Sequence, residues 1–494
     1  MELISRYVRE QKRYTINELK DIFSFDDEEG IKRFIKNLKA YGILKSVNFS
    51  NIQTEMSELL EDDIEIVDVT TENDSCYYVF TFVGVITLGC RVIKVYPKYL
   101  LSVYEPVDEL KQVLRVIEKI NHSEKQIVNL FNGEDENKSF NILAVILYFL
   151  RDYYEYGLYT STEDVIEING EGEILWEKTI NENFPLLDDN KPYYMELYTE
   201  KNIDDEMDFF KRLHECVLTD CSTMLHNSQL DALFGYNELV LTDETLRKIG
   251  DKDYILERIY KELQVQYNSR KQTLLKTLYA YISQDKKLLD EEDYLSLYGT
   301  NSFHVVWETV CSDVFGNKLK TRLDKLNMTT PLAKGYEPSD TLEMIIEKSR
   351  WQGPDTEEME SERTLTPDLI NLIKIDNEDY FFIFDAKYYN IQLEKNKKLQ
   401  GNPGIGDVTK QYLYQLAYKE FTNAHNISTV KNFFLMPTEK TTIIRTGTVR
   451  LLMLERLKLE KIQICQMPAK QMYDLYLNNE KLNIEKWLKD FESR

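Results

Sequence analysis

Tyr380-Phe381-Phe382-Ile383-Phe384-Asp385-Ala386-Lys387 is an apolar run that ends in a carboxylate and an ammonium two residues apart. On a strand alternate side chains share a face, so Asp385 and Lys387 are expected to point the same way. Upstream, Thr366-Pro367-Asp368-Leu369-Ile370 sets a second carboxylate, Asp368, at the head of another apolar run, which leads into the turn Asp376-Asn377-Glu378-Asp379. Two antiparallel strands joined by that turn would bring Asp368 beside Asp385 and Lys387. Two hard oxygen ligands with a lysine alongside suit a Mg²⁺ ion that activates water against a phosphodiester. Taken alone, Asp-x-Lys is a weak signal and reads first as a salt bridge at a solvent-exposed strand end. The second carboxylate at hairpin distance favours the metal site.

The surroundings of this pair give the expected fold. A helix around Phe303 to Leu319 precedes an irregular segment through Arg350-Trp351, then the two strands. Gln400-Gly401-Asn402-Pro403-Gly404-Ile405-Gly406 reads as a loop, followed by a helix from Asp407 to about Asn423 capped by Asp407. The apolar run Phe433-Phe434-Leu435-Met436 follows. Helix, strand, strand, helix, strand is the order of an α/β sandwich, here expected over residues 295–494 of a multidomain α+β chain.

Each candidate residue has an expected role. Asp368 and Asp385 would ligate one or two Mg²⁺ ions, with the Ala386 carbonyl as a further oxygen. Lys387 would act as a positioned cation that stabilises the transition state rather than as a base, because a lysine among carboxylates stays protonated. Glu308, in Val305-Val306-Trp307-Glu308, sits among apolar neighbours and offers a third acidic group, reaching the metal directly or through water; an ordinary exposed glutamate fits the local sequence as well. Gln411 and Gln415 share a face of the helix after the glycine loop. Gln411, nearer the helix start, is the better candidate to hold a water or a phosphate oxygen, with Tyr412 and Tyr414 assigned to packing.

The rest of the chain divides by composition. Residues 1–50 read as short helices, with Thr15 and Glu18 forming a capping box and Ile31, Phe34, Ile35 and Leu38 on one stripe, as in a winged helix or a small docking module. Residues 51–104 combine an acidic linker, Glu55 to Asp74, with β-rich runs from Tyr77 to Ile86 and Arg91 to Val95, turned at Leu88-Gly89-Cys90. Residues 105–294 are expected to be mostly helical, interrupted by a turn and short strand near Asn169-Gly170-Glu171-Gly172-Glu173-Ile174-Leu175-Trp176.

Composition and absences narrow the function. The 494 residues carry 61 basic and 85 acidic side chains, a formal charge of -24. Such a balance argues against a sequence-independent DNA coat; it is compatible with a nuclease whose positive surface is local and favours one brought to DNA by a partner. The longest apolar stretch, Ile142 to Leu150, is too short to span a bilayer, the N-terminus lacks a signal-peptide core, and the six scattered cysteines suit a reducing cytoplasm. His214, Cys216, Cys221 and His226 invite a zinc reading, but without a tight Cys-x-x-Cys knuckle helix packing is favoured. No phosphate-loop motif occurs, so nucleotide hydrolysis is not expected of this chain.

The acidic pair with its lysine resembles the PD-(D/E)xK nuclease signature. More specifically, the chain resembles the LlaJI-type restriction endonuclease family, whose nuclease subunits are related to the McrC component of McrBC systems. The resemblance runs through Phe82-Val83-Gly84-Val85-Ile86 with Pro97-Lys98, Asp152-Tyr153, Gly157-Leu158-Tyr159, Asn169-Gly170-Glu171-Gly172-Glu173-Ile174 with Trp176, and Thr179-Ile180. It continues in Trp307-Glu308, Pro367-Asp368, Asp385-Ala386-Lys387-Tyr388-Tyr389, Gly406-Asp407-Val408-Thr409-Lys410-Gln411-Tyr412 and Met436-Pro437. It implies a Mg²⁺-dependent endonuclease subunit of a restriction–modification system in antiviral defence. The subunit would cut double-stranded DNA together with a separately encoded McrB-like AAA+ GTPase. The rival expectations are a non-catalytic adaptor that binds DNA or the NTPase through a nuclease fold, and a stand-alone repair or transposon-type nuclease.

Overall fold

The computed structural model describes residues 4–48, 76–88, 91–123, 142–160, 162–170, 172–188, 191–204, 209–283, 295–354, 357–391, 393, 395, 399 and 401–493. The acidic stretch from Glu55 to Asp74, and Gly89, Cys90 and Gln400, lie outside them. The chain forms two compact units, one of Ser139–Ser296 with Leu88–Cys90 and Met1, the other of Glu2–Thr87, Arg91–Lys138 and Leu297–Arg494. The second unit thus joins segments from both ends of the sequence. Among the described residues, no helix is long and apolar enough to cross a membrane.

In the first unit, helices Ile142–Tyr156, Phe209–Asn227, Lys252–Val265 and Ser269–Ser283 bury aliphatic stripes that include Leu150, Leu213, Ile259 and Leu278. Within this core the buried Asp152 carboxylate takes two hydrogen bonds from Arg270, at 3.0 and 2.7 Å, so the buried charge is paired. The helical run is broken more extensively than the sequence suggests. Thr162–Ile168, Glu173–Ile174 and Tyr198–Asp204 form a three-stranded sheet, and Leu186–Asp188 pairs with Lys191–Tyr193. Glu163, Asp164 and Glu167 dilute the apolar alternation that would have announced the first of these strands.

The second unit begins with β1 (Ile4–Arg9), α1 (Ile16–Ile22), α2 (Glu28–Ala40), β2 (Leu44–Asn48), β3 (Cys76–Phe80), β4 (Val83–Leu88), β5 (Arg91–Tyr96) and α3 (Val107–Ser123). The capping box forms: the Thr15 side chain accepts from the Glu18 amide and Glu18 accepts from the Thr15 amide at 2.7 Å. Ile31, Phe34, Ile35 and Leu38 are buried along α2. β2 and β3 pair antiparallel after the two helices. β1 was not expected among the short helices; its arginines mask it, yet it pairs in parallel with β5 from Ile4↔Arg91 to Arg9↔Tyr96. With β6 (Leu295–Thr300) these strands form a sheet of order β1-β5-β4-β6. β4 and β6 approach through two glycines. A Cβ on Gly84 would lie 2.2 Å from the Tyr298 carbonyl oxygen, and one on Gly299 would lie 2.1 Å from that of Val83.

The remainder contains α4 (Phe303–Val314), β7 (Leu369–Ile375), β8 (Glu378–Ala386), α5 (Ile405–Ala417), α6 (Lys419–Ala424), β9 (Thr429–Thr438), β10 (Ile444–Val449), β11 (Ile462–Pro468), α7 (Ala469–Leu477) and α8 (Ile484–Glu492). The five-stranded sheet has the order β7-β8-β9-β11-β10. β7 and β8 form the expected hairpin, with Asp376 and Asn377 at φ of 49° and 72° closing a two-residue turn between Ile375 and Glu378. Positive φ at both central positions is the type I′ geometry, which matches strand twist and favours Asp and Asn. β8, β9 and β11 run parallel, and α5 and α6 connect β8 to β9.

Alternation along β8 sorts its side chains onto two buried faces. Phe381 and Ile383 join Tyr414, Tyr418 and Phe421 from α5 and α6 in one core. Phe384 and Phe433 pack against Trp487 of α8, with ring centroids 5.7 and 5.1 Å apart. Helices therefore cover both faces of a mixed sheet, an α/β arrangement. The N-terminal helix α3 is tied to this body by Gln112, whose amide donates to Asp474 at 2.6 Å, and by Lys119, which donates to Asn479 at 2.8 Å.

Candidate active site

The hairpin register places Leu369 opposite Phe384, so Asp368 and Asp385 meet where β7 begins and β8 ends. The Ala386 amide donates to Asp368 Oδ2 at 3.0 Å. Asn317 fixes the backbone at this point: its Nδ2 donates to the Asp368 carbonyl at 2.9 Å and its Oδ1 accepts from the Ile370 amide at 3.1 Å. On the other flank the Lys387 amide donates to the Leu435 carbonyl of β9 at 2.9 Å. The Trp307 indole donates to that same carbonyl at 3.0 Å. One acceptor therefore registers α4, with Glu308, against the strand end that carries Lys387.

Lys387 Nζ lies 2.9 Å from Asp385 Oδ2 and 3.0 Å from Asp407 Oδ1. Burial alone would push this ammonium down, but Asp385, Asp407 and Asp368 more than reverse it and hold its pKa above the ordinary lysine value. Lys387 is thus a fixed cation rather than a proton acceptor. Burial and the neighbouring Asp368 carboxylate push Asp385 up to about 7. Asp368 is raised by burial and by Glu308, against the opposing pull of a hydrogen bond with Asp385, of Lys387 and of the Ala386 amide. Glu308, half-buried, is raised by burial and by Asp385. Crowded, desolvated carboxylates of this kind hold protons until a cation relieves their repulsion.

Glu308 and Asp368 line one groove of roughly 680 Å³, together with Ser312, Asn317 and Lys481. Among the described residues, however, no three His, Cys, Asp or Glu side chains stand close enough to hold an ion together. Glu308 is near the acidic pair electrostatically without completing a cage with it. Gln411 is fully buried; its Nε2 donates to Asn432 Oδ1 at 2.6 Å, and its Oε1 has no hydrogen-bond partner. Its contacts are with β8 and β9 backbone and Asn432, not with Asp368 or Asp385. Tyr414, assigned to packing from the sequence, is the α5 residue whose hydroxyl is raised by burial and by both aspartates, and it donates to the Thr366 carbonyl at 3.0 Å.

Asp407 is a correction of role. The helix N-cap is Gly404, and Asp407 stands in the first turn of α5, where its carboxylate holds Lys387. An acidic residue near a helix start carries the same sequence signal in either role, so reading it as a cap hid the ion pair. Asn317 gave no signal either, since its importance lies in backbone contacts. The histidine and cysteine group of the first unit is spent on packing: His214 accepts from the Tyr159 amide at 3.1 Å, Cys216 donates to the Glu244 carbonyl at 3.3 Å, Cys221 is buried, and His226 meets Asp231 at 2.9 Å.

Comparison with known proteins places the chain in a family. A relative, the type II restriction enzyme BsuMI component YdjA of Bacillus subtilis (strain 168), is 29% identical over 423 residues, which is 83% of each chain. Among solved structures, a chain of the half-complex from the tetradecameric assembly of Thermococcus gammatolerans McrB AAA+ hexamers with bound McrC is similar at 12% identity and a TM-score of 0.37. That match covers 96% of this chain and 99% of the other. A chain of the McrBC complex from the same organism reaches a TM-score of 0.22 at 12% identity, covering 56% of this chain and 79% of its own. Similarity at these scores supports no conclusion about partner or activity. The profile of the LlaJI restriction endonuclease family matches residues 82–332 and 336–469, most of the chain and every residue of the acidic site. The chain belongs to the LlaJI restriction endonuclease family.

Proposed function

We propose that this chain is the Mg²⁺-dependent endonuclease subunit of a multi-component restriction system, cutting double-stranded DNA with a separately encoded AAA+ GTPase. The observation that carries the reading is the convergence of Asp368, Asp385 and Lys387 at one end of the β7-β8 hairpin. A mixed sheet flanked by helices, with the acidic pair at adjoining strand ends, fits a PD-(D/E)xK sandwich. The family membership, and a relative named as a component of a type II restriction enzyme, support a subunit of a larger system. The lack of a phosphate loop in this sequence leaves nucleotide hydrolysis to a partner.

The residues fit a divalent cation, because burial raises the proton affinity of both carboxylates, Asp368 raises that of Asp385 further, and a dication would satisfy both. Mg²⁺ suits them, since it needs few protein oxygens. Asp368, Asp385 and the Ala386 carbonyl would hold it, with Glu308 contributing from the groove wall, and the ion would supply charge stabilisation and an activated water. The chain's own groups do the rest. Asp385 and Asp407 hold the Lys387 ammonium in place before DNA arrives, so it meets negative charge building on the phosphate without reorganising. Because Lys387 stays protonated, the attacking water would lose its proton elsewhere, and Glu308, raised by burial, is the candidate acceptor.

The test is plasmid cleavage by the full-length protein with Mg²⁺, GTP and the NTPase encoded beside it. Asp368→Ala, Asp385→Ala and Lys387→Ala are each expected to abolish cutting while the proteins remain folded and bind the partner. Cutting by Asp385→Ala at the wild-type rate would remove the assignment.

A further inference from the structure

Tyr388 follows Lys387 directly, and alternation turns its side chain away from Asp407 and toward the N-terminal strands. It is buried, and its hydroxyl donates to the equally buried Glu10 at 2.5 Å. The same hydroxyl accepts from the Lys98 amide at 3.2 Å, and Glu10 Oε2 accepts from that amide at 3.1 Å. Asn390, two residues on, donates to the Lys98 carbonyl at 2.7 Å. The Tyr388 ring lies 4.4 Å from Lys98 Nζ and 5.1 Å from the ring of Phe303, the first residue of α4. Glu10 itself is anchored by its amide to the Tyr96 carbonyl at 2.9 Å, at the joint end of β1 and β5.

β8 ends at Ala386, so the ladder no longer restrains the chain that carries Lys387. Beyond that point the Lys387 amide is held by the Leu435 carbonyl, and the next residue, Tyr388, ties the chain to the N-terminal strands. We propose that Tyr388, clamped by Glu10 and the Lys98 amide, is a positioning residue for Lys387, and that the N-terminal strands thereby complete the active site. The proposal rests on the nuclease reading for its catalytic consequence, but the clamp's effect on Lys387 can be measured without any cleavage. The buried Glu10 carboxylate, raised by burial despite the nearby Lys98 ammonium, would be costly to retain for stability alone. Within the clamp it is the acceptor for both the hydroxyl and the amide.

The experiment uses full-length Tyr388→Phe, which keeps the ring and removes only the hydroxyl, beside Glu10→Gln, which keeps an acceptor. Two quantities are read: cleavage kinetics with Mg²⁺, GTP and the partner NTPase, and the rate at which acetic anhydride labels Lys387, followed by mass spectrometry without DNA. For Tyr388→Phe, kcat is expected to fall about 10–100-fold with KM for DNA unchanged, as for a misplaced catalytic group. Labelling of Lys387 is expected to rise at least about threefold, as local opening of the strand end would allow, while Lys431 and Lys481 label as before. Glu10→Gln should lie between the variant and the wild type in both readouts. Unchanged Lys387 labelling in Tyr388→Phe overturns the proposal whatever happens to cutting, as does a rise shared by all three lysines. If the wild type cuts nothing, the nuclease reading fails, and Lys387 labelling alone still decides the clamp.

Discussion

Asp385 carries a consequence for stability as well as for metal binding. With its carboxyl pushed up to about 7 in the fold, against about 3.9 in an unfolded chain, the folded state keeps a proton that the unfolded state releases. Between those values stability falls as pH rises, because the unfolded chain binds fewer protons; it is greatest below the lower value and the loss is complete above the upper. Thermal melting without divalent cation should therefore show the wild type losing more stability from pH 5 to pH 8 than Asp385→Asn does, and Mg²⁺ should raise the melting temperature more at pH 8 than at pH 5. Parallel pH curves for the two proteins would show that Asp385 titrates normally. Glu308 and Gln411 call for a different expectation from each other. Glu308 shares a groove with Asp368 and feels both Asp385 and Lys387, so Glu308→Gln should slow cutting about 10–100-fold at limiting Mg²⁺, as outer groups of metal sites do. Gln411 is buried against Asn432, and Gln411→Ala should act first on stability. A wild-type rate for Glu308→Gln at limiting metal would return that residue to the ordinary helix surface.

The β7-β8 hairpin shows why part of the site was legible and part was not. Period-2 alternation, a turn rich in Asp and Asn, and two apolar runs of similar length suffice to bring Asp368 to Asp385, because all three act over fewer than twenty residues of chain. The same rule put Asp385 and Lys387 on one face. Asp407 and Tyr414 reach the site from α5, whose rotation about its axis is set by the packing of Tyr414 and Tyr418 on Phe381 and Ile383; no local pattern encodes that rotation. β1 escaped notice because a parallel partner distant in sequence, not its own composition, makes it a strand. The β4-β6 crossing was likewise invisible, since it depends on two glycines more than two hundred residues apart. It yields a direct prediction. Gly299→Val forces branched carbon into the Val83 carbonyl, where even a Cβ would stand 2.1 Å away, and should cost about 1–3 kcal/mol as overpacking does. Chemical denaturation of the full-length variant measures this, and unchanged stability would show that β4 and β6 part freely.

At the scale of the molecule, charge and connectivity point the same way. A formal charge of -24 repels the phosphate backbone unless positive side chains are concentrated where DNA binds. The basic side chains of α2 are partly engaged already: Lys32 lies 4.0 Å from Glu28 and Lys39 sits 5.3 Å over the Tyr78 ring. Beyond the β7-β8 hairpin Lys395 is exposed, while Lys397 and Lys398 lie outside the described residues. The site's own cation, Lys387, is already shared by two carboxylates. Under the proposed function DNA would have to be delivered to this chain, and a partner that holds DNA would replace intrinsic affinity by high effective concentration. Fluorescence anisotropy of purified chain titrated against duplex DNA near physiological salt should show weak binding with little cleavage. Addition of the neighbouring NTPase with GTP should produce both engagement and cutting. Because few phosphates would be neutralised by this chain alone, its own binding should depend only shallowly on salt. Tight, sequence-specific binding and efficient cutting by the isolated chain would instead identify a stand-alone nuclease, and a steep salt dependence would reveal a basic surface beyond these lysines.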